Sequence, residues 1–238
     1  MSAATLGYRT YRWRGGDEWL AEIGTGPAVL LVPPLFEELN RCRALLAGVM
    51  RGLADLGLRS VLPDLPGTGE SPRELQDVVW EDWSGAIAAV AADLATDGKP
   101  PLLASVRGGA LIDGEARAIA RWRLAPATGA SLTRDLLRAR QAILPEKARA
   151  EEIDAEASAS ITEFAGYSIP PALYSSLRDA TLRDRPPTRI VRLESDPADA
   201  DLKLAGKPLW RQSEPGNDPA LASRLASDIV DWHQQCAA

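Results

Sequence analysis

Histidine and cysteine are almost missing from this chain of 238 residues, which holds one histidine and two cysteines. Cys42 and Cys236 are too few and too far apart for a disulfide framework or a zinc site, so two reduced thiols and no metal or cofactor are expected. Long apolar runs are missing as well. None approaches the roughly 20 residues of a membrane-spanning helix. Met1–Tyr11 has no charged region followed by an apolar stretch, as a secretory leader would. A cytoplasmic location without a membrane span is expected. Nor is there any excess of positive charge. The net charge is −6, and lysine and arginine are spread along the chain, which argues against nucleic acid or an anionic membrane as partner. With 45% hydrophobic and 25% charged residues, the chain has enough apolar material for a sizeable core. It carries no internal repeat or low-complexity tract.

The order of hydrophobic patterns indicates the architecture. Tyr8–Trp13 and Glu18–Ile23 alternate and are joined by Gly15-Gly16-Asp17, which predicts an antiparallel hairpin at a sheet edge. Ala28–Val32, Arg59–Pro63 and Leu102–Val106 are short β-rich runs. Between them, Asn40–Leu56 and Trp80–Ala95 have helical periodicity. Such alternation implies a parallel sheet with right-handed crossovers. Trp122–Leu124, Ile190–Leu193 and Pro208–Gln212 are candidates for the remaining strands. Pro219–Gln235 is a closing helix with an apolar stripe of Leu221, Leu225, Ile229 and Trp232. Residues 129–185 are charged, helical in pattern and without strand signals, including an Ala- and Glu-rich helix over Ala148–Ala159. This stretch is expected as a small helical cap inserted over the carboxyl edge of the sheet, where open α/β folds bind ligands. The core is then 1–128 and 186–238.

Pro101–Ile112, P-L-L-A-S-V-R-G-G-A-L-I, has the shape of a sharp strand-to-helix elbow that elsewhere exposes a catalytic nucleophile. Here Arg107 occupies the nucleophile position. Together with the Leu30–Pro34 strand end and the turn Asp64-Leu65-Pro66-Gly67-Thr68-Gly69-Glu70-Ser71, similar to D-x-x-G-x-G-x-S, this elbow resembles the α/β-hydrolase superfamily over nearly the whole chain. The resemblance implies an α/β-hydrolase fold, a mostly parallel central sheet with helices on both faces. Narrower stretches, Pro33-Pro34-Leu35-Phe36-Glu37-Glu38-Leu39-Asn40-Arg41-Cys42-Arg43, Trp80-Glu81-Asp82-Trp83 and Glu163-Phe164-Ala165-Gly166-Tyr167, resemble the exosortase A system-associated hydrolase 2 family. In that family the elbow is similar to Gly-Leu-Arg-Ala-Gly. This second resemblance implies a bacterial cytoplasmic protein tied to exopolysaccharide production and surface-protein sorting, with exosortase-pathway proteins as possible partners and no known substrate.

The chemistry does not follow the architecture. A guanidinium stays protonated and offers no lone pair, so Arg107 is no nucleophile. The loop where this fold places its histidine, about Ser213–Asp218, contains none. His233 lies about 14 residues into the closing helix, roughly 21 Å along its axis. Ser105 is expected to end its strand as a small packing residue. Ser71 is expected as an N-cap with Pro72 in the first helical turn. Glu194, Asp196, Asp199 and Asp201 crowd the acid position with no histidine to orient.

Arg107, placed at a helix start with Gly108 and Gly109, could instead hold a carboxylate, phosphate or sulfate. Alternatively it forms an internal ion pair with Glu37 or Glu38. Leu35, Phe36 and Gly108 would line the pocket. Core or cap packing is the default expectation for Trp80 and Trp83, and the alternative is that they and Tyr167 present aromatic faces to a sugar at the rim. Two function classes stay open. One is an acyl-ester or thioester hydrolase with Glu37 or Glu38 as general base. The other is a non-catalytic protein that captures an anionic ligand or a pathway partner at Arg107.

Overall fold

The computed structural model describes residues 5–95, 98–144 and 149–237. Met1–Ala4 and Ala148, the outer ends of two segments considered above, lie outside them. The chain begins with the expected hairpin, β1 (Gly7–Trp13) and β2 (Gly16–Ile23), antiparallel. Trp13 pairs with Gly16, so the turn is Arg14-Gly15 and not Gly15-Gly16-Asp17. Gly16, at φ 136°, joins the ladder itself.

The α/β alternation follows: β3 (Ala28–Val32), α1 (Glu37–Asp55), β4 (Arg59–Pro63), α2 (Trp80–Asp93), β5 (Leu102–Val106) and β6 (Arg121–Leu124). Next come α3 (Gly129–Gln141), α4 (Ala150–Ala159), a small hairpin of β7 (Thr162–Phe164) and β8 (Tyr167–Ile169), and α5 (Pro171–Asp179). Then β9 (Thr188–Leu193), β10 (Leu202–Leu204) and α6 (Pro219–Ala237) close the chain. Eight strands form one sheet in the order β1-β2-β4-β3-β5-β6-β9-β10, parallel from β4 onward.

Two hydrophobic clusters sandwich the sheet. Val29, Leu31, Leu102, Ala104, Val106, Trp122 and Leu124 face α1 and α6. Leu30, Val32 and Leu103 face α2 and the segment after β6. Each cluster exists because alternate residues of a strand point to opposite faces. No helix among the described residues is long and apolar enough to cross a membrane.

Four expectations need correction. Pro208–Gln212 is not a strand. Leu202–Leu204 takes that place beside β9, while Leu209–Arg211 is a single 3-10 turn with Leu209 and Trp210 buried. Residues 129–185 do contain strands: Ala165 and Gly166 both have positive φ and turn β7 into β8. Ser71 caps no α-helix, because only a 3-10 turn at Leu75–Asp77 follows. Its hydroxyl instead accepts the amides of Gly67 and Arg73, at 2.9 and 3.2 Å, and so locks the glycine turn. The elbow opens no α-helix either.

Between β5 and β6 there is only a 3-10 helix, Arg107–Leu111, followed by a loop that drops Asp113 into the interior. Asp113 is fully buried, receives the Ser105 hydroxyl at 2.7 Å and is held bidentately by Arg123 at 2.6 and 2.9 Å. Arg121 donates to the carbonyls of Asp113 and Ala116. Ser105, Arg121 and Arg123 share the α2 face of the sheet, because Ser105 pairs with Val32 and with Arg123 across the ladder. An ionic network thus fills space that a crossover helix would occupy.

Candidate functional site

The carboxyl ends of β3, β5 and β6 converge on one strained edge. Among the described residues, four non-glycines have positive φ, and three of them sit here: Phe36 after β3, Arg107 after β5 and Ala125 after β6. Left-handed backbone in a non-glycine costs of order 1 kcal/mol or more and persists only where surrounding structure enforces it. Arg107, at φ 53°, directly follows the extended Val106. The elbow geometry is therefore built even though its residue is an arginine. Gly109 lets the elbow pack, since a Cβ there would lie 2.5 Å from the Pro33 carbonyl oxygen and 2.6 Å from that of Val32.

Arg107 is 7% exposed and its side-chain donors are committed. Nε lies 3.1 and 3.3 Å from the two Glu38 carboxylate oxygens, and Nη2 lies 2.9 Å from Oε1. Nη1 donates to the Ala125 carbonyl at 3.2 Å. The guanidinium lies over the Trp210 ring, 5.3 Å from its centroid. Burial pushes the Glu38 carboxyl above its ordinary range, against the opposing pull of Arg107. Glu38 also stands in the first turn of α1, where the helix dipole favours negative charge.

Glu37, one residue earlier, points elsewhere. Its carboxylate accepts from Asn40 Nδ2 at 3.1 Å and lies 3.8 Å from Arg41 Nε, one helical turn on. Asn40 also donates to the Tyr167 hydroxyl at 3.2 Å. Burial, and next the Glu37 charge, raise the Tyr167 hydroxyl above its ordinary pKa. Phe36 stands edge-on between Trp83 and Tyr167, at 5.5 and 5.6 Å between ring centres.

Two expected contributors are corrected. Trp83 cannot form a rim, because it is wholly buried and its indole N–H donates to the Pro66 carbonyl at 2.9 Å. Gly108 is buried too, and a Cβ there would meet the side chains of Leu132 and Leu35, so it packs the elbow and does not line a cleft. Leu35 and Phe36 do line a cleft, and Tyr167 remains half-buried beside it.

That cleft, about 580 Å³, is bounded by Leu35, Phe36, Glu37 and Glu38, by one face of α3, and by Trp210. Arg107 lies behind Glu38 and Trp210, both of which it touches. Arg41, Trp210 and the α3 residues were not singled out from the sequence as site residues. The four-residue spacing of Glu37 and Arg41 was the one available signal.

His233 is 9% exposed on the inner side of α6, and burial lowers its pKa. Asp113, the most buried acid near the elbow, serves Ser105 and Arg123 and no histidine. No group of three or more His, Cys, Asp or Glu suited to a metal occurs among the described residues.

No protein-family model matches the chain, and no curated protein does. Solved structures do. Alpha/beta hydrolase domain-containing protein 10 from mouse aligns over 96% of this chain and 99% of its own, at 16% identity and a TM-score of 0.63. An epoxide hydrolase from Vigna radiata aligns over 97% and 98%, at 14% identity and a TM-score of 0.59. Against a mutant of another Vigna radiata epoxide hydrolase, the match covers 51% of this chain and 39% of the relative, at 25% identity and a TM-score of 0.43. With the sheet order and the elbow, the full-length likenesses establish the α/β-hydrolase fold.

Proposed function

We propose that this chain of α/β-hydrolase fold is a non-catalytic ligand-binding protein, in which the Arg107–Glu38 pair closes the elbow where a hydrolase would expose its nucleophile. The observation that carries the reading is the state of Arg107: buried, bonded through three nitrogens to Glu38 and Ala125, and stacked on Trp210. A guanidinium so occupied does not attack a carbonyl. Glu38, bound to it, is not free to activate water. Triad chemistry also needs a histidine near the elbow, and the one histidine belongs to α6.

The stretch 129–185 acts as a cap over the cleft in this reading. The motif resemblance adds the setting: a bacterial cytoplasmic protein of exosortase-linked exopolysaccharide systems, acting on a pathway intermediate or partner. The fold alone does not choose between enzyme and binder, and the occupied Arg107 supports the binder.

The competing reading is an ester or thioester hydrolase using Glu37 or Glu38 as base, as the fold's many enzymes suggest. Hydrolysis of a panel of short- and long-acyl esters and thioesters separates the two. The expected result is no turnover above buffer by the wild type. Turnover that disappears in Glu37→Gln or Glu38→Gln would overturn the binding reading.

A further inference from the structure

The cleft over the closed elbow is unusually rich in arginine. Arg41, Arg134, Arg138 and Arg211 line it, along with the carboxylates Glu37, Glu38 and Asp135. Each carboxylate already has a guanidinium: Glu37 has Arg41 at 3.8 Å, Glu38 has Arg107 at 2.9 Å and Asp135 has Arg138 at 3.5 Å. With Arg107 behind the floor, five guanidiniums stand against three carboxylates, an excess of two positive charges. That excess is located on Arg134 and Arg211, both exposed, whose side chains form no salt bridge or hydrogen bond among the described residues, while Asp196, itself paired with Arg192 at 2.7 Å, lies within electrostatic reach of Arg211.

Arg41 is anchored by Nη1, which donates to the Trp210 carbonyl at 3.1 Å, and its buried Nε faces the Glu37 carboxylate at 3.8 Å. Leu35, Phe36, Leu132 and Leu136, each largely buried, supply the apolar part of the wall.

We infer that this cleft binds an organic phosphate monoester, its dianionic phosphate taken by Arg134 and Arg211, and its organic part laid against Leu35, Leu132 and Leu136. The inference rests on the binding reading above and specifies the ligand class for it. Guanidinium forks match phosphate oxygens bidentately, and an ion with two charges offsets the local excess where a carboxylate offsets half of it. Phosphate does not displace Glu38 from Arg107, so the closed elbow and the occupied cleft coexist.

Isothermal titration calorimetry with dodecyl phosphate, glycerol 3-phosphate and dodecanoate tests this on the full chain. Saturable binding of a phosphate ester is expected, at least tenfold tighter than dodecanoate. It should weaken tenfold or more in Arg134→Gln and in Arg211→Gln, and stay unchanged in the distant surface variant Arg12→Gln. Preference for dodecyl phosphate assigns a lipid-like ligand, and equal affinity for both phosphates a small soluble one. Affinity should also fall several-fold from pH 7.5 to 5, as the phosphate passes its second ionisation near about 6. No binding of either phosphate, or binding undiminished in an Arg134→Gln/Arg211→Gln double variant, overturns the inference. Both variants change exposed side chains, and circular dichroism verifies their fold. Failure here without ester turnover leaves the closed-elbow reading standing, whereas turnover in the acyl panel defeats that reading whatever the calorimetry gives.

Discussion

Glu38 and Arg107 meet through three nitrogen–oxygen contacts of 2.9 to 3.3 Å across the gap between the start of α1 and the end of β5. The pair is mostly buried, at 8% and 13% side-chain exposure. It joins the two loops that would otherwise frame a reaction centre, and its removal tests both stability and function.

Glu38→Leu strands a buried guanidinium and should lower folding stability by about 3–5 kcal/mol. Arg107→Leu combined with Glu38→Leu removes both charges and should cost clearly less than the sum of the single changes. Urea midpoints of the four proteins measure the coupling. Additive effects would mean that the pair does not hold the elbow closed.

Arg107→Ser places a hydroxyl at the nucleophile position but brings no histidine to it, since the one histidine lies in α6. The variant should stay inactive on esters. A stoichiometric burst of product from Arg107→Ser would show that Glu38, released from its guanidinium, takes the proton in place of a histidine.

The pH dependence of stability should carry a His233 signature. Burial lowers its folded pKa below the ordinary 6.5, so the unfolded chain takes the proton first as pH falls. Above 6.5 the group contributes nothing to the slope. Below it, stability drops until the folded pKa is passed. Between pH 7.5 and 5.5 the wild type should therefore lose more stability than His233→Gln, measured by denaturation at each pH.

Thiol labelling should distinguish the two cysteines. Cys42 is fully buried and burial pushes its thiol up to about 12, whereas Cys236 is half-exposed near the end of α6. At pH 8 the native protein should release about one equivalent with an aromatic disulfide reagent and two when denatured. Rapid native reaction of both would place Cys42 nearer solvent than the packing of α1 allows.

Asp113→Asn should be among the more damaging single changes, at about 3–5 kcal/mol, because it leaves Arg123 and Arg121 as buried charges without an anion. Ser105→Ala removes one hydrogen bond to the same carboxylate and should cost about 1 kcal/mol. Thermal melts of the two variants give the comparison. Equal losses would show that the hydroxyl, not the ion pairs, secures the loop.

Local composition alone determined the strands Ala28–Val32, Arg59–Pro63 and Leu102–Val106, because short runs of branched apolar residues bounded by turns have one comfortable home, the middle of a sheet. It also placed Arg107 at the elbow and removed histidine from reach. The choice of Glu38 over Glu37 as partner was beyond it. Adjacent helix residues point about 100° apart, and only the crossing of α1 with β5 decides which one faces the guanidinium. Trp83 was legible as a packing residue but its partners were not, since Phe36 and Pro66, which enclose it, come from distant chain. The replacement of a crossover helix by the Ser105–Asp113–Arg123 network was likewise hidden. The elbow pattern implies a helix after Arg107, and three charged or polar side chains meet inside the protein in its place only after β5 and β6 pair. Sequence fixes which chemistry is available. The tertiary structure decides which of it is turned inward and neutralised, because burial and pairing depend on neighbours that the chain brings together only by folding.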